Sequence, residues 1–336
     1  MSGDDRDVAG GQAGRRQILR ASLAAGLLAA PVVANAQAAW PSRPIRVIVP
    51  FAAGGATDLI TRLAAEHAGP LLGQQVVIDN RGGAQGMLGM QAGAQSPADG
   101  YTFVATAPGV MSVNPWVVRR LPYDPEADFT SVAMIASIPY VMVVPKTVPA
   151  RSVAEFIALA RARPGALNFS TSGNSSRLVV ELFRALVGGL DMTMVQYRSA
   201  GSLRTDLLRG DIHLTIDQMP GFLEDFQKGE LFPLAVSTRS RSPALPHVPT
   251  MQEAGVAGYE AAAWVAYSAP RQTPAPIVAR MNAVLNEVLR KPEVVARLAN
   301  WGADPVGGSP ESMEAAVNAE RTRWGDVVRR AGIQPE

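Results

Sequence analysis

No cysteine occurs among the 336 residues, which excludes a disulfide framework, a thiol nucleophile and a thiolate metal site. Histidine is nearly as scarce. His67, His213 and His247 are the only three, and no H-E-x-x-H or other metal-ligand spacing joins them. Neither sign of charge predominates, with 31 basic against 29 acidic side chains, so no basic stripe marks a nucleic-acid partner. Beyond residue 36 no apolar run approaches membrane-spanning length. The serines around Gly173 do not form G-x-S-x-G, and Gly83, Gly86 and Gly89 do not reproduce G-x-G-x-x-G. Nothing pairs Asp79, Asp99 or Asp217 as acid and base. Catalytic residues, a metal and a cofactor are therefore all expected to be absent.

What is present begins with an export signature. Arg15-Arg16-Gln17-Ile18-Leu19-Arg20 precedes an apolar segment over 21–34, and Ala34-Asn35-Ala36 supplies a small-residue cleavage site. Residues 1–36 are expected to be a cleaved signal peptide, and the arginine pair also resembles a twin-arginine signal. The mature protein is then expected in the periplasm as a soluble monomer. Its length suggests two domains.

A β-branched run, Ile45-Arg46-Val47-Ile48-Val49, predicts a buried strand, and Leu59, Ile60, Leu63 and Ala64 repeat at helical spacing. Between them lies Phe51-Ala52-Ala53-Gly54-Gly55-Ala56-Thr57-Asp58. The two glycines let backbone approach a ligand, and Thr57 and Asp58 are placed to cap the helix. A strand, a glycine turn and a helix N-terminus direct N–H groups at one point, which favours an anion. The turn has no lysine, so it is no Walker loop, and a small carboxylate is the expected guest.

Alternation continues along the chain. Strands are predicted over 75–79, 101–105, 138–145, 167–171, 192–197, 212–216, 234–237 and 264–269. Helices are predicted from the glycine-studded segment 81–89, over 153–163, 178–187 and 203–208, and at the end over 276–289 and 310–330. Strands separated by helices indicate an α/β protein with a parallel sheet covered on both faces. No internal repeat or low-complexity linker interrupts it.

Pro50-Phe51-x-x-Gly54-Gly55-x-x-Asp58, Asp79-Asn80-Arg81-x-Gly83, Asp99-Gly100-Tyr101, Leu121-Pro122-Tyr123-Asp124-Pro125 and Arg241-Ser242-Pro243-Ala244-Leu245-Pro246-x-Val248-Pro249-Thr250 occur in this order. From Trp40 onward the chain resembles the extracytoplasmic solute receptors of the tripartite tricarboxylate transporter group, the Bug family. The resemblance implies a class II periplasmic binding protein fold, two α/β lobes joined by crossing segments with the ligand cleft between them. By analogy lobe one is 40–138 plus 262–336, and lobe two is 139–261. It also implies a small organic acid or related metabolite as ligand, gripped by backbone groups, hydroxyls and water, and transporter membrane subunits as partners. A receptor feeding a signalling protein and an exported α/β hydrolase are the alternatives.

Residue by residue, Phe51, Gly54, Gly55, Thr57 and Asp58 match the family's first loop, with Asp58 expected to orient the loop or cap the helix. Thr106, ending the third strand, is expected to face the same crevice. The second lobe departs from the pattern. Ser170-Thr171-Ser172-Gly173-Asn174-Ser175-Ser176-Arg177 is shorter than the family's loop and has Arg177 where a His is usual, and Tyr197-Arg198-Ser199 replaces Tyr-Lys-Gly. Ser170, Ser172, Asn174, Ser175 and Ser176 read either as a donor-rich jaw or as helix caps. Arg177 and Arg198 read either as carboxylate contacts or as solvated side chains. Asp217 occupies the place of a family Asp and either accepts a ligand group or holds a neighbouring loop.

Overall fold

The computed structural model describes residues 40–197 and 200–335. The expected signal peptide, its twin-arginine motif and Arg198 lie outside the described residues.

Ten strands are described. β1 (Ile45–Val49) has its apolar side chains buried and pairs in parallel with β2 (Val76–Asn80) and β3 (Thr102–Thr106). β3 pairs with β9 (Ala262–Pro270), and β9 with β4 (Phe129–Pro145), both antiparallel. On the other side of β4 stand β7 (Leu214–Gln218), β5 (Leu167–Thr171) and β6 (Met192–Gln196), with β5 parallel to both neighbours. β8 (Leu231–Val236) and β10 (Asp304–Gly307) also pair with β4.

The 17-residue β4 is therefore shared. Phe129–Pro139 runs beside β9, while Tyr140–Pro145 runs beside β7 and β8. The chain crosses from the first half-sheet to the second through β4 and returns through β9. Two adjacent crossings in opposite directions are necessarily antiparallel, so the sheet is mixed and not parallel throughout as expected. The expected strand 138–145 is only the second half of β4. Register shifts between Ser131 and Ala133 and between Met134 and Ala136 break the period-two pattern of the first half.

The helices are α1 (Ala56–Leu72), α2 (Met87–Ala94), α3 (Asn114–Val117), α4 (Val153–Ala162), α5 (Asn174–Leu186), α6 (Ala200–Arg209), α7 (Leu223–Lys228), α8 (Ala275–Val288), α9 (Pro292–Asn300) and α10 (Pro310–Arg330). Ser152 caps α4 by accepting from the Glu155 N–H, and Ser309 caps α10 through the Ser312 N–H. A π-helical turn over Gly109–Val113 joins β3 to α3. One apolar cluster, with Ile48, Val104, Met111, Tyr123 and Trp264, fills the first half; another, with Val141, Leu203, Ile212 and Phe222, fills the second. Among the described residues no helix is long and apolar enough to cross a membrane.

Candidate functional site

Gly54 sits at φ 83°, a conformation glycine adopts without strain, and turns the chain into α1. Gly55 is the N-cap, with no side-chain hydrogen bond capping the helix. Thr57 and Asp58, expected as caps, instead lie inside the first turn. The Asp58 carboxylate turns back to accept from the Gly54 N–H at 2.8 Å, from Arg62 Nε at 3.0 Å and from Asn80 Nδ2 at 2.9 Å. Burial pushes its pKa up, but the Arg62, Gly54 and Asn80 hydrogen bonds outweigh burial and hold it below the usual carboxylate range. Asn80 also donates to the Phe51 carbonyl at 3.3 Å, and Arg62 reaches the Asn80 side-chain oxygen at 2.8 Å. Asp58 thus orients the loop, while Ala52 to Gly55 stay exposed above it. Thr57 is buried, and its carbonyl accepts from the Thr61 hydroxyl at 2.6 Å.

Thr106 is placed differently from its expectation. It is wholly buried, with its hydroxyl 3.3 Å from the Ala266 carbonyl and 3.4 Å from the Ser268 hydroxyl on β9. Its position as the last residue of β3 brings it to the expected strand end, but its hydroxyl turns along the ladder to β9.

In the second half, Ser176 is the local organiser: its Oγ accepts from the Ser172 N–H at 2.9 Å and the Gly173 N–H at 3.2 Å. Ser172 donates its hydroxyl to Asp217, whose other oxygen accepts from the Gln218 N–H at 2.7 Å. Burial raises the Asp217 pKa, with Ser172 and the Gln218 N–H pulling the other way. Ser170 is fully buried, and its hydroxyl has no protein partner. Arg177 continues α5, its N–H donating to the Gly173 carbonyl at 3.0 Å. Tyr197 donates to Asp206 at 2.8 Å; burial and that carboxylate push its pKa up to about 12.

The two halves meet at this loop. Asn174 Nδ2 donates to Asn114 Oδ1 at 2.8 Å. A Cβ on Gly109 would lie 3.0 Å from Ser175 Oγ, and one on Gly173 would lie 3.3 Å from Gln85 Oε1. The first loop is contiguous with this contact, because a Cβ on Gly82 would lie 3.1 Å from the Ala52 nitrogen and one on Gly86 would touch Phe51 at 3.3 Å. Asn80, Gln85 and Asn114 were not singled out by sequence reasoning. For Asn80 the quoted Asp79-Asn80-Arg81 was the available signal; for Asn114 it was the Asn-Pro that opens a helix. Among the described residues no acidic, His or Cys group gathers as a metal site.

Residues 60–333 match the family model described as the tripartite tricarboxylate transporter family receptor. The chain belongs to that family. It is 36% identical to Protein BugT of Bordetella pertussis over 310 residues, covering 91% of this chain and 94% of BugT. A solved structure of R. palustris Rpa4515 with adipate superposes with a TM-score of 0.85 at 42% identity, covering 88% of this chain and all of that one. MatC from Rhodopseudomonas palustris with bound malate superposes at 0.80, with 31% identity, 86% coverage of this chain and all of MatC. The fold is accordingly the two-lobed one of periplasmic binding proteins, and the family is one of solute receptors, not enzymes.

Proposed function

We infer that this family receptor holds a small organic acid between its lobes in the periplasm and delivers it, as a monomer, to the membrane subunits of a tripartite uptake system. The observation that carries this reading is the first loop. An uncapped α1 N-terminus stands behind exposed Gly54 and Gly55, and the carboxylate nearest to it is already consumed by Gly54, Arg62 and Asn80. Such a turn offers backbone N–H groups and a favourable dipole to an anion without a competing side-chain charge. The relatives solved with adipate and with malate make a dicarboxylate the first class to examine.

Lobe one is taken as 40–138 plus 262–336 and lobe two as 139–261, with the change-over in the middle of β4 and the return at the start of β9. Residues 1–36 are taken as the signal peptide that brings the protein to the periplasm. Ser172, Ser175 and Ser176, with Arg177 and Tyr197, are taken as the second jaw, and Asp217 as positioning it through Ser172; Arg198, outside the described residues, is kept as a candidate carboxylate contact on its sequence position alone.

The test is calorimetry of the mature protein with adipate, malate and a panel of other organic acids. One solute bound per chain and recovered unchanged supports the reading. Turnover of the bound acid overturns it in favour of an exported hydrolase, and no binding across the panel overturns the carboxylate assignment.

A further inference from the structure

We propose that Asn114 and Asn174 form a direct latch between the lobes, so that solute affinity is set in part by closure and not only by contacts with the solute. The proposal rests on the solute-receptor reading but assigns Asn174 a different partner from the solute.

Hydrogen-bond accounting fixes the orientation of the latch. Asn114 is fully buried. Its Nδ2 lies 3.3 Å from the Gln85 carbonyl and 3.3 Å from the Tyr123 hydroxyl. A carbonyl only accepts. The Tyr123 hydroxyl gives its own proton to the Val110 carbonyl at 2.6 Å, so towards Asn114 it also only accepts. Both Asn114 donors are thereby committed, and its oxygen is the atom presented across the cleft. Asn174, 60 residues further on and in the other lobe, meets it with its amide NH2 at 2.8 Å.

The surroundings are shaped for this meeting. Ala84 and Gln85 hold φ values of 47° and 55°, left-handed conformations that are unfavourable for residues with a side chain. That turn places the Gln85 carbonyl on Asn114 and its side-chain oxygen beside Gly173. Gly109 gives Ser175 room to approach. Three consecutive residues of one jaw, Gly173, Asn174 and Ser175, thus rest on three separate points of the other lobe. Neutral amides make the central bond, so its contribution does not depend on the charge of the solute.

A latch and a solute contact differ in what they do to two solutes. A lost latch raises the dissociation rate of both by one factor. A lost contact changes their ratio. Asn174→Ala removes the bond while sparing the buried Asn114 network. Because the chain contains no cysteine, Leu88→Cys with Leu186→Cys, two exposed positions on α2 and α5, accepts a pair of spin labels cleanly. Distances are measured without solute and with saturating adipate, and dissociation rates with adipate and malate. Asn174→Ala is expected to shift the distances towards the open form and to speed release of both acids by a common factor of about two to ten, with association unchanged. Gly109→Ala, which crowds Ser175 without straining its own backbone, should act in the same direction. Coincident distance distributions for wild type and Asn174→Ala in both samples, or unequal factors for the two acids, overturn the latch. Should neither acid bind wild type, the carboxylate reading fails separately, and the solute-free distances alone decide the latch.

Discussion

Asp58 and Asp217 are both buried carboxyls that anchor a loop, one in each half of the sheet, yet among the described residues only Asp58 has a guanidinium beside it. Arg62 follows it by one helical turn, and Gly54 and Asn80 supply two further donors, so the charge is compensated where it stands. Among the described residues the Asp217 partners are the Ser172 hydroxyl and the Gln218 N–H, with no Lys or Arg. A compensated charge makes a fixed scaffold; an uncompensated one makes a site whose preferred state is set by protonation. On this contrast the first loop is expected to be the more rigid cradle and the second the more adjustable jaw.

The largest expected effect tests the rigid side. Gly54 and Arg62 share one Asp58 oxygen and Asn80 takes the other, so Asp58→Asn leaves an amide NH2 facing either Gly54 and Arg62 together or the Asn80 amide NH2, and at least one hydrogen bond becomes a donor–donor clash. Hydrogen bonds to a charged group contribute about 1.5–3 kcal/mol each, and part of the loss is recovered through the remaining acceptor, so a net loss of about 3 kcal/mol is expected. Urea unfolding at pH 7 measures it. A loss below about 1 kcal/mol would show that the cradle does not depend on the charge.

Next in size is the anion grip. Gly55 has an ordinary φ of −77°, and an added Cβ would find only the Ala52 carbonyl, 3.7 Å away. Gly55→Val should therefore leave folding intact while covering the N–H groups of the α1 first turn. Losing a charge-assisted contact there corresponds to a ten- to hundredfold weaker Kd for a bound dicarboxylate, roughly 1.5–3 kcal/mol. Calorimetry with circular dichroism checks both halves of the statement. Normal binding by Gly55→Val together with lost binding by Arg177→Ala would transfer the grip to the second jaw.

The contrast between the loops also explains what was legible in the sequence. Gly54, Asp58 and Arg62 stand four residues apart across a recognisable helix start, so the orienting role of Asp58 follows from local spacing. Asn80 enters only because parallel pairing sets it beside Val49, at the mouth of the same loop. Likewise the serine-rich run around Gly173 reads as a donor loop, but its anchor is 45 residues away. The β5–β7 register pairs Ser170 with Thr215, and two residues further on the same alignment brings Ser172 to Asp217. Thr106 shows the converse: its position at a strand end was readable, whereas the direction of its hydroxyl depends on β9, 160 residues later. Most elements with a strong local period were found, the exception being α9, an amphipathic helix over Pro292–Asn300 that was not predicted. The first half of β4, with its two register shifts, and the four-residue β10 were not, because their pairing partners define them.

The smallest effect sharpens the comparison most, because its sign differs between the two aspartates. Asp58 has a depressed folded pKa, so its stabilisation is present above the unfolded value near 3.8 and is lost as pH falls through the lower folded value. Asp217 has a raised folded pKa, so the folded state holds its proton more tightly than the unfolded chain does. Stability then declines as pH rises from about 3.8 through the raised value, and is regained on acidification across the same window. Asp217→Asn removes that titration and still offers one oxygen to Ser172 or to the Gln218 N–H. It should change stability at pH 7 by less than about 1 kcal/mol, far less than Asp58→Asn, because no cation among the described residues loses its partner. Relative to wild type, the variant should gain stability at neutral pH compared with pH 4, a difference read directly from urea midpoints at the two values. If Asp217→Asn instead costs as much as Asp58→Asn and the cost grows with pH, then a cation compensates Asp217 after all. The two loops would then be built alike.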